Sequence, residues 1–196
     1  KSSAASDVYK RQTLYRIKAL KDFRNIKAGD LGGYIENEKN LSHNDFCWIY
    51  EDAKVFGNAR VYEDASIYED SHIFGNAEVF GDAEVYEDAE VYNNARVYGN
   101  AKVYGNAEVF GEAYIFGNAE IYGNTRVYED ASICEDARVY GDSRVCGNAE
   151  VFGNARVYED ASICEDAQVY ENAIVYGNAE VYSNAKAVSY THLTLP

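Results

Sequence analysis

The feature that most constrains this chain is a six-residue period that runs without insertion from Ile49 to Lys186. Twenty-three consecutive units follow the pattern Val/Ile–aromatic–Gly/Glu–Asn/Asp–Ala–x, as in VYGNAK at 97–102. One unit of this size is too small to bury a core, so it must stack on its neighbours. The repeat therefore predicts a solenoid, a rod built from stacked coils.

Two of the six positions have the character of a core. The first position is Val or Ile in every unit, and the fifth is Ala in all units except those with Ser71, Thr125 and Ser143. These positions are two residues apart across the boundary between units, so their side chains lie on the same face of a strand. The pattern predicts that both point inward and that the second and sixth positions point outward.

The third and fourth positions indicate a corner in every unit. The third is mainly Gly or Glu, and the fourth is Asn or Asp except at Glu112. Asn and Asp tolerate the left-handed backbone conformation and bond within their own turn, so we expect the fourth position to form the corner. Four residues of strand and two of corner, taken three times, give a triangular 18-residue coil. A two-sided 12-residue coil and a right-handed helix are the alternatives, and a core of Val and Ala is too thick for a flat two-sided coil.

The repeat resembles that of the hexapeptide-repeat superfamily, which includes trimeric bacterial acyltransferases. The resemblance covers the whole array, although an aromatic fills the second position where those enzymes often have Gly or a small polar residue. It implies an all-β fold, a single-stranded left-handed parallel β-helix (β-solenoid). The array has the length of about seven to eight triangular coils of 18 residues, stacked roughly 4.8 Å apart.

Residues 13–48 depart from the repeat and are predicted to form an N-terminal cap and an irregular first coil. Leu41 and Ile49 are eight residues apart, so the register slips by two. Phe46 and Trp48 are expected to cover the end of the core. The segments KAGDLGGYIE (27–36) and LSHNDFCWIYEDA (41–53) resemble the N-terminal signature of uncharacterised hexapeptide-repeat proteins of bacteria and their phages.

Three glycines in this segment, Gly29, Gly32 and Gly33, are expected to allow turns. The competing interpretation is a phosphate-binding loop. Such a loop requires a Lys-Ser/Thr pair and a helix behind it, and the sequence provides neither.

Both ends of the chain break the repeat. Residues 1–12 and 187–196 resemble translated adapter sequence of the kind found in open reading frames from metagenomic assemblies, and we expect both to be non-native. The four cysteines have no metal-binding spacing and are expected to be free thiols. Free thiols and the lack of a signal peptide predict a cytoplasmic protein.

Charge and composition exclude two classes of partner. The formal net charge is −15, which argues against binding a phosphate backbone. No apolar run approaches the roughly 18 residues of a membrane span. The predicted partners are therefore neither nucleic acid nor membrane. They are copies of the chain, as a homotrimer or in end-to-end association, or a polysaccharide or protein.

Residues 18 apart should lie above one another, which places the aromatic second positions in three outer columns. These columns could simply hold the rod together, since stacked rings stabilise adjacent strands. They could also form an interface, because an exposed aromatic stripe of this length is larger than a monomer normally leaves open. The tyrosine side, predicted as a binding surface, carries Tyr50, Tyr68, Tyr86, Tyr104, Tyr122, Tyr140, Tyr158 and Tyr176. The second side carries Phe56, Phe74, Tyr92, Phe110, Tyr128, Cys146, Cys164 and Tyr182, and the third side carries Tyr62, Phe80, Tyr98, Phe116, Cys134, Phe152 and Tyr170.

One corner collects carboxylates from three successive coils. Such a cluster could bind Ca²⁺, or it could be a solvated acidic edge that keeps an aromatic rod soluble. The repeat exchanges its G-N and E-D corners freely, which favours the solvated edge, so no metal and no cofactor are predicted. The candidate ligands are Glu51, Asp52, Glu69, Asp70, Glu87 and Asp88.

An enzymatic function would require a catalytic histidine. The resemblance to acyltransferases implies a His at a trimer interface, with projecting loops to hold the acyl carrier. Of His43, His72 and His192, only His72 lies outward within the array, so it is the candidate base. No insertion in the array provides a loop. We therefore predict a non-enzymatic rod for self-assembly or partner binding, with acyl transfer and carbohydrate binding by the tyrosine side as alternatives.

Overall fold

The computed structural model describes residues 12–188 and the strand at 192–193. The chain is an all-β parallel β-solenoid with 18-residue coils. Strands β1 (Tyr15–Lys18) and β2 (Leu31–Ile35) and a 3-10 helix (Glu38–Asn40) precede the regular array. The two-residue strands that follow are β3 (Trp48–Ile49), β4 (Lys54–Val55), β5 (Arg60–Val61), β6 (Ser66–Ile67), β7 (His72–Ile73), β8 (Glu78–Val79), β9 (Glu84–Val85), β10 (Glu90–Val91), β11 (Arg96–Val97), β12 (Lys102–Val103), β13 (Glu108–Val109), β14 (Tyr114–Ile115), β15 (Glu120–Ile121), β16 (Arg126–Val127), β17 (Ser132–Ile133), β18 (Arg138–Val139), β19 (Arg144–Val145), β20 (Glu150–Val151), β21 (Arg156–Val157), β22 (Ser162–Ile163), β23 (Gln168–Val169), β24 (Ile174–Val175), β25 (Glu180–Val181), β26 (Lys186–Ala187) and β27 (His192–Leu193).

Every third strand belongs to the same sheet, so the solenoid has three sides. The second side is the sheet β1-β2-β4-β7-β10-β13-β16-β19-β22-β25, the third side is β5-β8-β11-β14-β17-β20-β23-β26, and the tyrosine side is β3-β6-β9-β12-β15-β18-β21-β24-β27. Neighbouring strands of the array pair in parallel and in register, one coil apart, as Val91 does with Val109. Three sheets confirm the triangular coil and exclude the two-sided one.

The solenoid has about nine turns, more than the seven to eight predicted from the array. The N-terminal segment adds a turn, because β2 and Leu41 pair in parallel with the second turn. After the array, β26 and β27 continue two of the sheets.

The register slip before Ile49 is also present. Ile35 pairs with Val55 and Leu41 pairs with Val61, whereas Ile49 pairs with Ile67 at the regular coil spacing. In each of the first two pairs the residues are two positions farther apart along the chain than Ile49 and Ile67 are, which equals the predicted slip of two residues. These pairings confirm the slip.

The core consists of the first and fifth positions, as predicted. From Ile49 to Val175 all of these side chains are at most 1% exposed. The three polar residues at the fifth position are also buried, and each hydroxyl donates a hydrogen bond to a backbone carbonyl three residues earlier. Ser71 donates to Tyr68 O at 2.7 Å, and Thr125 and Ser143 make the equivalent bond. A buried hydroxyl with such a partner adds little cost to the core.

The corners differ from the prediction in which residue takes the left-handed conformation. The third position has positive φ in every unit, and the fourth position does not. Glycines there have φ between 69° and 82°, and the Glu, Asn and Ser residues have φ between 50° and 63°. The fourth-position side chains instead bond from coil to coil, as from Asn58 Nδ2 to Asn76 Oδ1 at 3.0 Å.

The N-terminal end of the core is covered by strand β1 and the loop after it. β1 pairs antiparallel with β2, and Phe23 packs edge-on against Trp48 with ring centroids 5.4 Å apart. Trp48 is buried, as predicted, but Phe46 is 51% exposed, so its predicted capping role is wrong. Phe23 takes that place because the loop folds back over the end of the first coil.

Two of the three N-terminal glycines do not form turns. Gly29, with φ of 101°, does lie in a turn. Gly32 and Gly33 are in strand β2, where a Cβ would collide with the backbone carbonyls of Ile49 and Ala53. They are required for close packing of strand β2 against residues 48–53 of the next coil.

Candidate functional site

The tyrosine side forms a ladder of stacked rings along the solenoid. Tyr50 and Tyr68 have ring centroids 4.4 Å apart, and Tyr104 and Tyr122 have theirs 4.8 Å apart, with the planes nearly parallel in both pairs. The rings are half-buried. Tyr50 and Tyr68 form one stack, and the rings from Tyr86 to Tyr176 form another. Within each stack neighbouring rings cover one another's faces and present their edges and hydroxyls to solvent. Burial, together with the charge of Glu120, raises the pKa of Tyr104 to about 12.

The second side begins with the same kind of ladder and ends in a covalent link. Phe56, Phe74 and the rings above them stack at about 5 Å up to Tyr128. The next two rungs are Cys146 and Cys164, which form a disulfide across a Cα–Cα distance of 4.6 Å. The expectation of four free thiols is therefore wrong for this pair. Their separation by one full coil was the signal, because it places the two side chains on adjacent coils in register.

The third side has a ladder with one interruption. Tyr62, Phe80, Tyr98 and Phe116 stack without a break, and Cys134 then replaces a ring. Cys134 and Cys47 are free thiols. Burial raises the pKa of each thiol to about 11, so neither is a reactive thiolate at neutral pH.

The outward sixth positions join neighbouring coils through ion pairs. On the tyrosine side, Lys102 Nζ lies 2.9 Å from a Glu84 carboxylate oxygen. On the second side, a guanidinium nitrogen of Arg126 lies 3.2 Å from Glu108. These groups are a third to a half exposed, so each pair contributes well under about 1 kcal/mol to folding stability.

His72, the candidate catalytic base, lies on the second side among residues of its own column. Its Nε2 is 3.1 Å from Lys54 Nζ, and its Nδ1 is 3.8 Å from a carboxylate oxygen of Glu90. From Ile49 to Val188 the strands are joined by four-residue links, so no loop projects beside the imidazole. Within the described part of one chain, His72 lies on a flat side and lacks a pocket wall.

The other two histidines lie away from His72. His43 is exposed in the irregular first coil and lines an open groove with residues from Asn37 to Tyr62. His192 belongs to strand β27, and its side chain lies outside the described residues. The structure therefore does not bring the predicted histidines together.

The six predicted carboxylates do come together, lining a shallow groove along one corner. All six are exposed, and among residues 12–188 no group of three or more His, Cys, Asp or Glu side chains is arranged to hold a metal ion. Their corner has a structural use. The Glu69 backbone N–H donates to a Glu51 carboxylate oxygen at 3.1 Å.

The same contact recurs at other corners of the solenoid. The Gly147 N–H donates to Glu129 Oε2 at 2.7 Å, and the Gly57 N–H donates to Glu36 Oε2 at 2.6 Å. The third-position carboxylates of Glu51 and Glu129, and Glu36 before the array, thus accept a backbone N–H from the next coil. The repeat pattern did not reveal this contact, because it depends on which corner lies above which.

The comparisons with known proteins agree with this architecture. A family model described as the YdcK beta solenoid repeat matches residues 167–183. A search of the curated proteins finds no match. Among the described residues, no helix is both long and apolar enough to cross a membrane. The chain is a β-solenoid repeat protein, similar over that matched segment to the YdcK repeat.

Proposed function

We propose that this chain is a non-enzymatic structural and interaction rod, which presents long flat sides for self-assembly or for a protein partner. The observation that carries the proposal is the continuity of the outer sides. Each side bears a ladder of half-buried rings beside a column of charged residues, and four-residue links connect all strands of the array. Such a surface suits a broad contact, whereas small-molecule sites are concave.

The stacking geometry also bears on carbohydrate binding. A sugar ring stacks on the open face of an aromatic ring. On the tyrosine side those faces are covered by the rings above and below, as between Tyr104 and Tyr122. A polysaccharide would therefore contact hydroxyls and ring edges. This geometry favours a protein partner over a sugar for the tyrosine side.

Acyl transfer with His72 as an interfacial base is the competing function. It requires a second chain to build the pocket, because the near neighbours of the imidazole are Lys54 and Glu90 of the same column. Loss of acyl transfer from an acyl-thioester in His72→Ala, with assembly unchanged, would establish this function in place of the proposed one.

Size-exclusion chromatography with light scattering on the full chain, over a hundredfold range of concentration, tests the proposal. We expect association into a discrete species as concentration rises. Electrophoresis through polysaccharide-containing gels tests the carbohydrate alternative, in which retardation is lost in Tyr104→Ala and Tyr122→Ala. A protein that stays monomeric, captures no partner and is not retarded contradicts the proposed function.

A further inference from the structure

The outward sixth positions of the second side carry an ordered series of charges. Eight coils contribute one residue each, and the charged residues fall into blocks of alternating sign. In chain order the column reads Lys54, His72, Glu90, Glu108, Arg126, Arg144, Ser162 and Glu180.

The charges of this column are complementary to those of the same column on a second copy that runs in the opposite direction. A two-fold axis between the rows of Glu108 and Arg126 sets Glu108 opposite Arg126 of a second copy. The same axis sets Glu90 opposite Arg144, and Lys54 opposite Glu180. His72 meets Ser162, so no like charges meet along the column. A parallel, in-register pair whose two-fold axis runs along the column would instead place every charge opposite its own copy, which costs free energy.

Two of these charges have no ionic partner in the described part of their own chain. Arg144 is exposed, and its neighbours along the column are Arg126 and Ser162. Glu180 is also exposed, and the neighbour below it is Ser162. In the antiparallel arrangement both gain an opposite charge from the second copy.

The other two sides are less suited to an antiparallel pairing of two copies. On the tyrosine side Glu84 is already paired with Lys102, and Glu120 with Arg138. Reversal of that column about its centre sets the remaining charged residue, Arg156, opposite Ser66, so a second copy supplies it with no partner. On the third side, reversal of the column sets Arg60 opposite Lys186, which are both cationic. The second side is therefore the one where a second copy supplies missing partners.

The second side is also flat and long enough to be a contact surface. Its rows are about 5 Å apart. Eight rows, each presenting four residues across, form a face of about 35 Å by 13 Å. At the centre, Phe110 and Tyr128 of one copy meet Tyr128 and Phe110 of the other. Like charges approach only at the corners, where, for example, the reversal sets Glu69 beside Glu159, Asp88 beside Asp142 and Glu112 beside Asp130. These carboxylates are exposed, so solvent and salt screen their repulsion. Two such faces bury roughly 900 Å² in total, less than a standard stable interface, so a weak and reversible dimer is expected.

We propose that the second side is an isologous, antiparallel dimer interface whose register is set by this charge column. The proposal rests on the proposed function, since it specifies a second copy of the chain as the partner. Two copies thus form a closed pair and leave both tyrosine sides free.

Reciprocal charge reversal in the full chain tests the register. Arg144→Glu alone and Glu90→Arg alone each place two like-charged pairs in the interface. We expect each to raise the dimer dissociation constant at least tenfold at low salt. The double variant restores opposite charges and should return within threefold of the parent, because each copy supplies both residues. Arg156→Glu is the matched control, since Arg156 is an exposed arginine on the tyrosine side, and it should leave the dimer unchanged.

Circular dichroism of each variant checks that the solenoid is intact. Glu90 lies near His72, so the pair Lys54→Glu and Glu180→Lys provides a second reciprocal test if Glu90→Arg unfolds. Failure of both double variants to restore dimerisation would overturn the proposed register. If neither single charge reversal changes the dimer dissociation constant, the proposed interface is wrong, although self-assembly remains the proposed function. A monomeric parent that binds a protein partner also overturns the inference and preserves the proposed function.

Discussion

At the scale of single residues, the third position explains why the repeat alternates between Gly and Glu. The corner requires a left-handed backbone, which Gly adopts without strain. A Glu there adopts φ near 60° at a cost of about 1 kcal/mol, and at Glu51 and Glu129 the carboxylate accepts an N–H from the next coil. The two residues are therefore alternative solutions to one structural problem. At Glu51 and Glu129 the carboxylate therefore has a structural role of its own.

Substitutions at Glu129 test this explanation. Glu129→Ala keeps the left-handed strain and loses the bond to the Gly147 N–H, so we expect a loss of about 1 kcal/mol in the free energy of unfolding. Glu129→Gly loses the same bond but relieves the strain, and should cost less than Glu129→Ala. Glu129→Gln keeps an acceptor oxygen and should lie closest to the parent. Urea unfolding, monitored by circular dichroism, measures the free energy of unfolding of the three variants. Equal values for Glu129→Ala and Glu129→Gly would contradict this explanation.

At the scale of strands and coils, stability comes from contacts between each coil and the next. Each strand pairs only with the strands above and below it in its sheet. A contact that joins two coils therefore stabilises both, and a weak rung weakens its neighbours. The disulfide between Cys146 and Cys164, which directly follow strands β19 and β22, is the only covalent link between coils within the described residues.

Reduction of the Cys146–Cys164 disulfide should lower the thermal midpoint. Closing a loop of this length in the unfolded chain corresponds to about 3 kcal/mol. We expect the midpoint to fall by several degrees on adding a phosphine reductant. Cys134→Ala, which removes a free thiol on the third side, should retain the full effect. A chain that carries Cys146→Ser and Cys164→Ser should show no response to the reductant. An unchanged midpoint in the parent would show that the bond contributes nothing.

At the scale of the whole molecule, the ladders connect stability to pH. Burial raises the pKa of Tyr104 to about 12 and also raises those of Tyr86, Tyr92 and Tyr122. A tyrosine with a raised pKa keeps its proton in the folded state after the unfolded chain has lost its own. Its contribution to stability is complete below the ordinary value of 10.0 and is lost as pH rises through the folded value.

We therefore expect the thermal midpoint to be constant from about pH 7 to about pH 10 and to fall steeply between about pH 10 and 12. Tyrosinate absorbance should rise together with the loss of the circular dichroism signal. Tyr104→Phe combined with Tyr122→Phe retains stacked rings and should make the decline shallower. Ionisation of the ladder near pH 10 without unfolding would contradict the assignment of these rings as half-buried with raised pKa values.

The architecture could be predicted because it depends on local periodicity. Val or Ile at the first position and Ala at the fifth recur in every unit, and each occupies the same environment in every coil. The end of the core could not be predicted in the same way. Phe46 was expected to cover it and Phe23 does so, because the choice depends on how an irregular loop folds back.

The repeat, the inward and outward positions, the three aromatic columns and the acidic corner can all be read from the spacing of residues along the chain. The structure was needed to show which corner residue is left-handed, what the carboxylate of Glu129 contacts, and that Cys146 and Cys164 are bonded. These features arise between residues of different coils. Their geometry depends on the distance between stacked backbones, which a one-dimensional pattern does not contain.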